Sequence, residues 1–434
     1  MHLTAVVEFL NQVDELKTAK ELLDTFSKYA TTLVQYDELG MLYEKIKAYP
    51  NSLKMLEKCL ATAAQPEQLK SVRANLAKVY NHINDPEKSL FYSTLNLEID
   101  PNDYEARMEQ TFSYYLRGDY NKSHQIQLDL LNDPNLPESV KKRITFNMGS
   151  FDIMNGKFKQ GMFKMILGGK AIGIWKAIEK PFPKWTGEQT EKTILIYAEA
   201  GIGDEILNIR FCKEIEKRGM RYLWVGYRKD TNDLFKSNGY NVIDSDSNLD
   251  PTIEYVYCES MSLPILLDLD QDDLWNGPYL QPKQEYIDKW KSVLPKEFIT
   301  VRWSGNPYYD QDLHRTLDKE LLFNTIKKAN LPIVSLQINE KIDEAITPEI
   351  ENWDDTIAIQ YLAKLNVTSC TSTAHSASAI AANCVVIPPI CKYYPWELLN
   401  EDTYSNWYSQ KTKVFVQKKH KDWTEPLNRL SSLL

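Results

Sequence analysis

The chain has 434 residues, 43% of them hydrophobic and 11% aromatic, which excludes global disorder and is too long for one ordinary core. At roughly 150 residues per domain, the length suggests about three domains. The 60 acidic and 51 basic residues leave a net charge of −9, which removes the simplest electrostatic case for a nucleic-acid partner.

Residues 1–175 read as helical. Apolar positions recur at three- and four-residue steps, as at Leu76, Val79, Tyr80 and Ile83. The run from Asp85 to Leu90 resembles the run from Asp119 to His124, 34 residues on, which is the period of a tetratricopeptide helix pair. A further copy starts at Lys157 and an earlier one near Tyr49. Residues 176–190 follow as a linker, because Pro181, Pro183 and Gly187 break any helix.

Beyond the linker, short apolar runs alternate with helical patterns. Strand candidates are 193–198, 222–226, 242–243, 254–257, 298–303, 332–336, 366–369 and 384–387. A helix is expected over about 205–218. The alternation implies βαβ units and parallel sheets. The expected division is residues 191–285 as one Rossmann-like domain and residues 286–434 as a second, with a C-terminal helix.

Three strand-to-helix turns carry the chemistry. In the first, Gly201 and Gly203 allow a tight turn, and Asp204 either caps the following helix or accepts a proton from a hydroxyl nucleophile. In the second, a strand ends at Ser304-Gly305-Asn306, and Arg315 at the far end of the loop could clamp a phosphate. In the third, Thr371, Ser372 and Thr373 open a helix of small residues, suited to a pyrophosphate, with His375 just inside it. No Walker loop is present, and the six His and six Cys show no metal-ligand spacing. The expectation is a nucleotide-binding transferase without a metal or a tightly bound cofactor.

Several motifs occur in a fixed order. They are Pro183-Lys184-Trp185-Thr186-Gly187, Ala198 to Asp204, Ser260 to Pro264, Gly277 to Leu280, Trp303 to Pro307 running to Asp312 and Arg315-Thr316, Val334 to Gln337, Thr371 to His375, Asn406 to Tyr408, and Asp422-Trp423. Over about residues 157–430 this order resembles the bacterial and phage glycosyltransferases that fuse tetratricopeptide repeats to a GT-B catalytic region. Those are similar to ADP-heptose heptosyltransferases and, more distantly, to O-linked N-acetylglucosamine transferases. The resemblance implies Asp204 as general base. It implies Gly201, Gly203, Asn306, Arg315, Gln337, Thr371, Ser372, Thr373 and His375 at the nucleotide-diphosphate-sugar donor. One departure is Cys370, where the family usually has Asp.

The acceptor would be a glycan, a protein or a small molecule, with the repeats open to a protein partner. The alternatives are sugar transfer to hydroxymethylated DNA, which the acidic balance disfavours, and a non-catalytic scaffold. No secretion signal or membrane span is legible, so a cytoplasmic location is expected.

Overall fold

The computed structural model describes residues 4–5, 7–8, 15–175, 177–307, 309, 311–338, 340–397 and 403–434. Asp310, in the loop ahead of Arg315, and the first linker residue, Lys176, lie outside these. The chain packs as two compact units: Met1–Leu136 with Asn306–His314, and Pro137–Gly305 with Arg315–Leu434.

The helical repeat is written in its turns. First helices Leu33–Lys45, Pro66–His82, Tyr104–Arg117 and Glu138–Met154 are followed by second helices Tyr49–Thr62, Pro86–Ile99, Tyr120–Leu131 and Phe158–Ala171. Between each pair one residue takes a left-handed backbone: Lys47 (φ 60°), Asn84 (61°), Gly118 (83°) and Gly156 (75°). The same backbone bond then closes each turn, from Ala48 to Tyr43, Asp85 to Tyr80, Asp119 to Tyr114 and Lys157 to Asp152, at 2.8–2.9 Å. Each second helix crosses its partner at small residues twelve apart. Ser52 Oγ donates to the Gly40 carbonyl at 2.7 Å and Ser123 Oγ to the Thr111 carbonyl at 2.8 Å. The last pair brings Gly161 against Gly149.

That last pair belongs to the second unit, where it shares one core with both sheets: Phe158, Met162 and Met165 lie in the same cluster as Ile194, Ile206 and Trp407. The first sheet runs β3-β2-β1-β4, with β1 Thr193–Tyr197, β2 Arg221–Val225, β3 Val242–Ile243 and β4 Tyr255–Glu259. The second runs β6-β5-β7-β8-β9, with β5 Ile299–Arg302, β6 Ile333–Ser335, β7 Leu365–Ser369, β8 Cys384–Ile387 and β9 Thr412–Val414. Every pairing is parallel. Strands β1, β4, β5 and β8 are buried along their whole length, which explains the apolar runs of β1 and β8, while β4 and β5 end in the charged Glu259 and Arg302.

The class is therefore the expected one: a tetratricopeptide-like helical region followed by a GT-B type region of two Rossmann-like domains. Two local features differ from the sequence reading. The helix expected over 205–218 is two helices, Ile202–Asn208 and Phe211–Lys217. The Pro-rich segment pairs with the edge of β4, Trp185 N–H donating to the Tyr257 carbonyl at 2.8 Å and Tyr257 N–H to the Pro183 carbonyl at 3.0 Å.

The Gly149–Gly161 crossing yields a stability test. A Cβ on Gly161 would lie 2.5 Å from the Gly149 carbonyl oxygen and 2.9 Å from the Ile153 nitrogen, both backbone atoms that cannot step aside. Gly161→Ala should destabilise the second unit by about 1–3 kcal/mol, read from urea unfolding. An unchanged midpoint would contradict the close crossing.

Candidate functional site

In an open parallel sheet, ligands bind beyond the carboxyl ends of the strands where the strand order reverses. The first sheet reverses between β1 and β4, and the second between β5 and β7. The three turns singled out from the sequence leave β1, β5 and β7, so each lies at a reversal point.

At the first reversal the chain leaves β1 through Ala198, Glu199 and Ala200, the last held at φ 65°. Gly201 then caps the helix Ile202–Asn208. Asp204 does act as a cap: its Oδ2 accepts the Gly201 N–H at 2.9 Å. Its Oδ1 accepts the Tyr393 hydroxyl at 3.0 Å. Burial raises the Asp204 carboxyl above its ordinary range, against the Gly201 and Tyr393 hydrogen bonds that lower it.

Glu199 beside it is buried. Its Oε1 accepts the Met261 N–H at 3.1 Å, while Oε2 has no hydrogen-bond partner among the described residues. Burial pushes this carboxyl up to about 7. Glu259 ends β4 and is held low against its own burial by Lys170, at 3.0 Å, and Lys184, at 3.3 Å. The first reversal is thus rich in carboxylates, with Lys170 brought in from the helix Phe158–Ala171.

The second reversal has the opposite character. Arg302 ends β5 and donates to the Ser304 carbonyl at 3.1 Å. Arg315 Nη1 donates to the Cys370 carbonyl at 3.0 Å, beside the start of the helix Ser372–Ala379. The hydroxyls of Thr371 and Thr373 lie 2.8 Å apart, and that of Thr373 is 2.9 Å from Thr368. Ser372, half-buried, opens the helix. Gln337 folds onto the β5 turn, with Nε2 donating to Ser304 Oγ at 2.8 Å and Oε1 accepting the Ser304 N–H at 3.2 Å. Asn306 is exposed and starts the segment that packs with the helical unit.

His375 lies where the two sides meet. A Cβ on Gly203 would stand 2.8 Å from His375 Cδ2, 3.3 Å from Nε2 and 3.5 Å from the Ser372 Cα. Gly203 therefore serves close approach between the helix Ile202–Asn208 and the helix Ser372–Ala379. His375 Nδ1 shares a 2.6 Å hydrogen bond with the Tyr408 hydroxyl, and its ring packs 4.9 Å from Trp396. Burial, and then the positive charges of Arg210 and Arg315, hold its pKa down to about 3. At neutral pH it is an uncharged imidazole, able to offer a hydrogen bond but no charge.

Three participants escaped the sequence reading. Tyr393 lies in no recognisable spacing relative to Asp204, 189 residues away. Arg210 sits in the break between two helices. It donates to the Leu274 carbonyl at 3.0 Å, the Trp407 carbonyl at 2.5 Å and the Tyr279 hydroxyl at 2.7 Å, and faces the Tyr279 and Tyr408 rings at 4.3 and 4.7 Å. Glu199 stands inside the motif from Ala198 to Asp204 without a role of its own in the sequence. The one available signal for it was a charged residue directly after a wholly apolar strand.

No protein-family model matches the chain, and no curated protein sequence matches it. Solved structures similar to it include apo NprR, a quorum sensor from B. thuringiensis, at 17% identity, covering 39% of this chain and 53% of that one with TM-score 0.31. They also include TibC, an iron-containing dodecameric glycosyltransferase from enterotoxigenic E. coli, at 12% identity, covering 58% of this chain and 74% of that one with TM-score 0.38. The E. coli heptosyltransferase WaaC with ADP matches at 10% identity, covering 56% of this chain and 98% of that one with TM-score 0.35. This chain thus spans about half the length of the quorum sensor. At these scores the fold rests on the strand order and register given above.

Among the described residues, no group of three or more His, Cys, Asp or Glu side chains could hold a metal ion, and no helix is long and apolar enough to cross a membrane. The six cysteines are buried.

The raised Glu199 carboxyl has a consequence for stability. Above its ordinary value of 4.5 the unfolded chain loses a proton that the fold retains up to about pH 7. Its contribution is therefore fully present below 4.5 and declines as pH rises towards 7. Glu199→Gln should shrink the loss of thermal midpoint between pH 5 and pH 8. An identical loss in variant and wild type would refute the shift.

Proposed function

We propose that the protein is a glycosyltransferase that moves a sugar from a nucleotide-diphosphate-sugar donor to an acceptor hydroxyl, with inversion and without a metal ion. Residues 191–285 form the acceptor-side domain and residues 286–434 the donor-side domain. The observation that carries the reading is the Gly203–His375 contact, which brings the helix bearing the half-buried Asp204 against the first turn of the helix Ser372–Ala379. The solved structures of TibC with ADP-D-beta-D-heptose and of WaaC with ADP agree with it in kind.

The chemistry balances as one displacement. Asp204 takes the proton of the acceptor hydroxyl. The hydroxyl oxygen forms its bond to the anomeric carbon as the bond from that carbon to the diphosphate breaks. Charge then builds on the leaving diphosphate. The free N–H groups and positive dipole end of the helix Ser372–Ala379 meet it, together with the Arg315 guanidinium and a hydrogen bond from neutral His375. The raised Asp204 carboxyl suits a base, because a basic group nearer the operating pH takes a proton more readily. The acceptor hydroxyl belongs to a glycan, a protein or a small molecule. The carboxylate-rich first reversal point disfavours the phosphates of DNA there.

Thermal shift with a panel of nucleoside diphosphates tests the donor site. One of them, at a hundred times its Kd, should stabilise the protein by about 2.7 kcal/mol. Arg315→Ala should lose most of that gain. Asp204→Asn should keep the gain and lower turnover of the matching nucleotide sugar by about 100- to 10,000-fold. Stabilisation by none of the diphosphates, or wild-type turnover by Asp204→Asn, would sink the reading.

A further inference from the structure

Asp204 and its hydroxyl donor come from opposite sides of the site. Asp204 lies in the first turn of the first helix after β1, whereas Tyr393 lies in the segment that joins β8 to β9 of the second sheet. The Gly201 N–H fixes only Oδ2. One hydrogen bond leaves a carboxylate free to turn about its own axis, whereas a donor on the second oxygen fixes its plane. A carboxylate has about four lone-pair sites, so two donors still leave room for an incoming hydroxyl.

The segment that carries Tyr393 is itself fixed. The Tyr393 ring packs edge-on against Tyr394 at 4.5 Å, and Tyr394 against Trp407 at 5.5 Å. Ser405 Oγ donates to the Pro395 carbonyl at 2.6 Å. Ser150 Oγ, on the helix Glu138–Met154, donates to Glu397 Oε1 at 2.5 Å. The Tyr393 position is thus set by its own aromatic segment and by the last helix pair.

We infer that Tyr393 is the positioning residue for Asp204: its phenol locks Oδ1 so that the remaining lone pairs face the acceptor hydroxyl. Because the phenol arrives from the second-sheet side, the base is complete only while both sides hold their places. This rests on the reading of Asp204 as the base.

The hydrogen bond also favours the ionised carboxylate. The other charged and titratable groups facing Asp204 are Arg228, which favours ionisation, Glu199 and Glu205, which oppose it, and the Tyr394 phenol. Arg228 is itself paired with Glu205 and donates to the Ala200 carbonyl at 3.0 Å. Removing the Tyr393 hydroxyl should therefore raise the Asp204 pKa.

The test is Tyr393→Phe, which keeps the ring packing and deletes only the hydroxyl. Turnover should fall by about 10- to 100-fold with donor KM changed less than about twofold. The acid limb of the kcat–pH profile should move up by about half to one unit. Loosened packing alone would lower kcat without moving that limb.

A second measurement needs no turnover. In protein labelled with carboxyl-13C aspartate, the resonance missing from Asp204→Asn identifies Asp204, and its titration should move upward in Tyr393→Phe. An unmoved carboxyl titration, an unmoved acid limb, or a rise in turnover would overturn the inference. Absence of sugar transfer in the wild type would instead remove the glycosyltransferase reading, and the carboxyl titration would still decide whether Tyr393 controls Asp204.

Discussion

The site depends on the contact between Gly203 and His375. With no side chain at 203, the helix Ile202–Asn208 comes within van der Waals reach of the helix Ser372–Ala379. Any larger residue would press on an imidazole already held by Tyr408 and Trp396. That approach brings the helix bearing Asp204 against the first turn of the second helix and buries His375 in its neutral form. Burial of the carboxylate, and with it the rise in its pKa, follows from the same packing.

Around this contact the two reversal points have opposite chemistry. The β1–β4 side gathers Glu199, Asp204 and Glu259, and the β5–β7 side gathers Arg302, Arg315 and a helix N-terminus. Arg210 spans the space between them. Its charge is met by carbonyl oxygens, a hydroxyl and aromatic faces, the groups that hold it through hydrogen bonds and cation–π contacts. It also helps keep the neighbouring imidazole uncharged. The last helix pair belongs to this arrangement as much as to the repeats, because Lys170 reaches Glu259 and Ser150 reaches Glu397.

Much of this was legible in the sequence, and for identifiable reasons. Asp85, Asp119 and Lys157 were matched as repeat starts, and each is the N-cap of a second helix. Runs such as Thr193 to Tyr197 and Cys384 to Ile387 were legible because a strand buried on both faces needs apolar residues throughout. The strand Thr412–Val414 was missed because three residues with a central Lys carry no pattern. The break at Asn208 to Phe211 carries no Gly or Pro to mark it in the sequence, and nothing local shows that Arg210 must turn inward.

By itself the sequence determined the class of each element, the turns at the strand ends and the kinds of side chain those turns present. These are local properties, set by backbone preference and by short-range periodicity. The tertiary structure alone decided which turns meet. It paired Asp204 with Tyr393 across 189 residues, left one Glu199 oxygen without a hydrogen-bond partner among the described residues, and placed Asn306 with the helical unit. Such outcomes depend on packing between distant segments and on the burial it brings, and burial is what shifts a carboxyl or an imidazole away from its ordinary pKa.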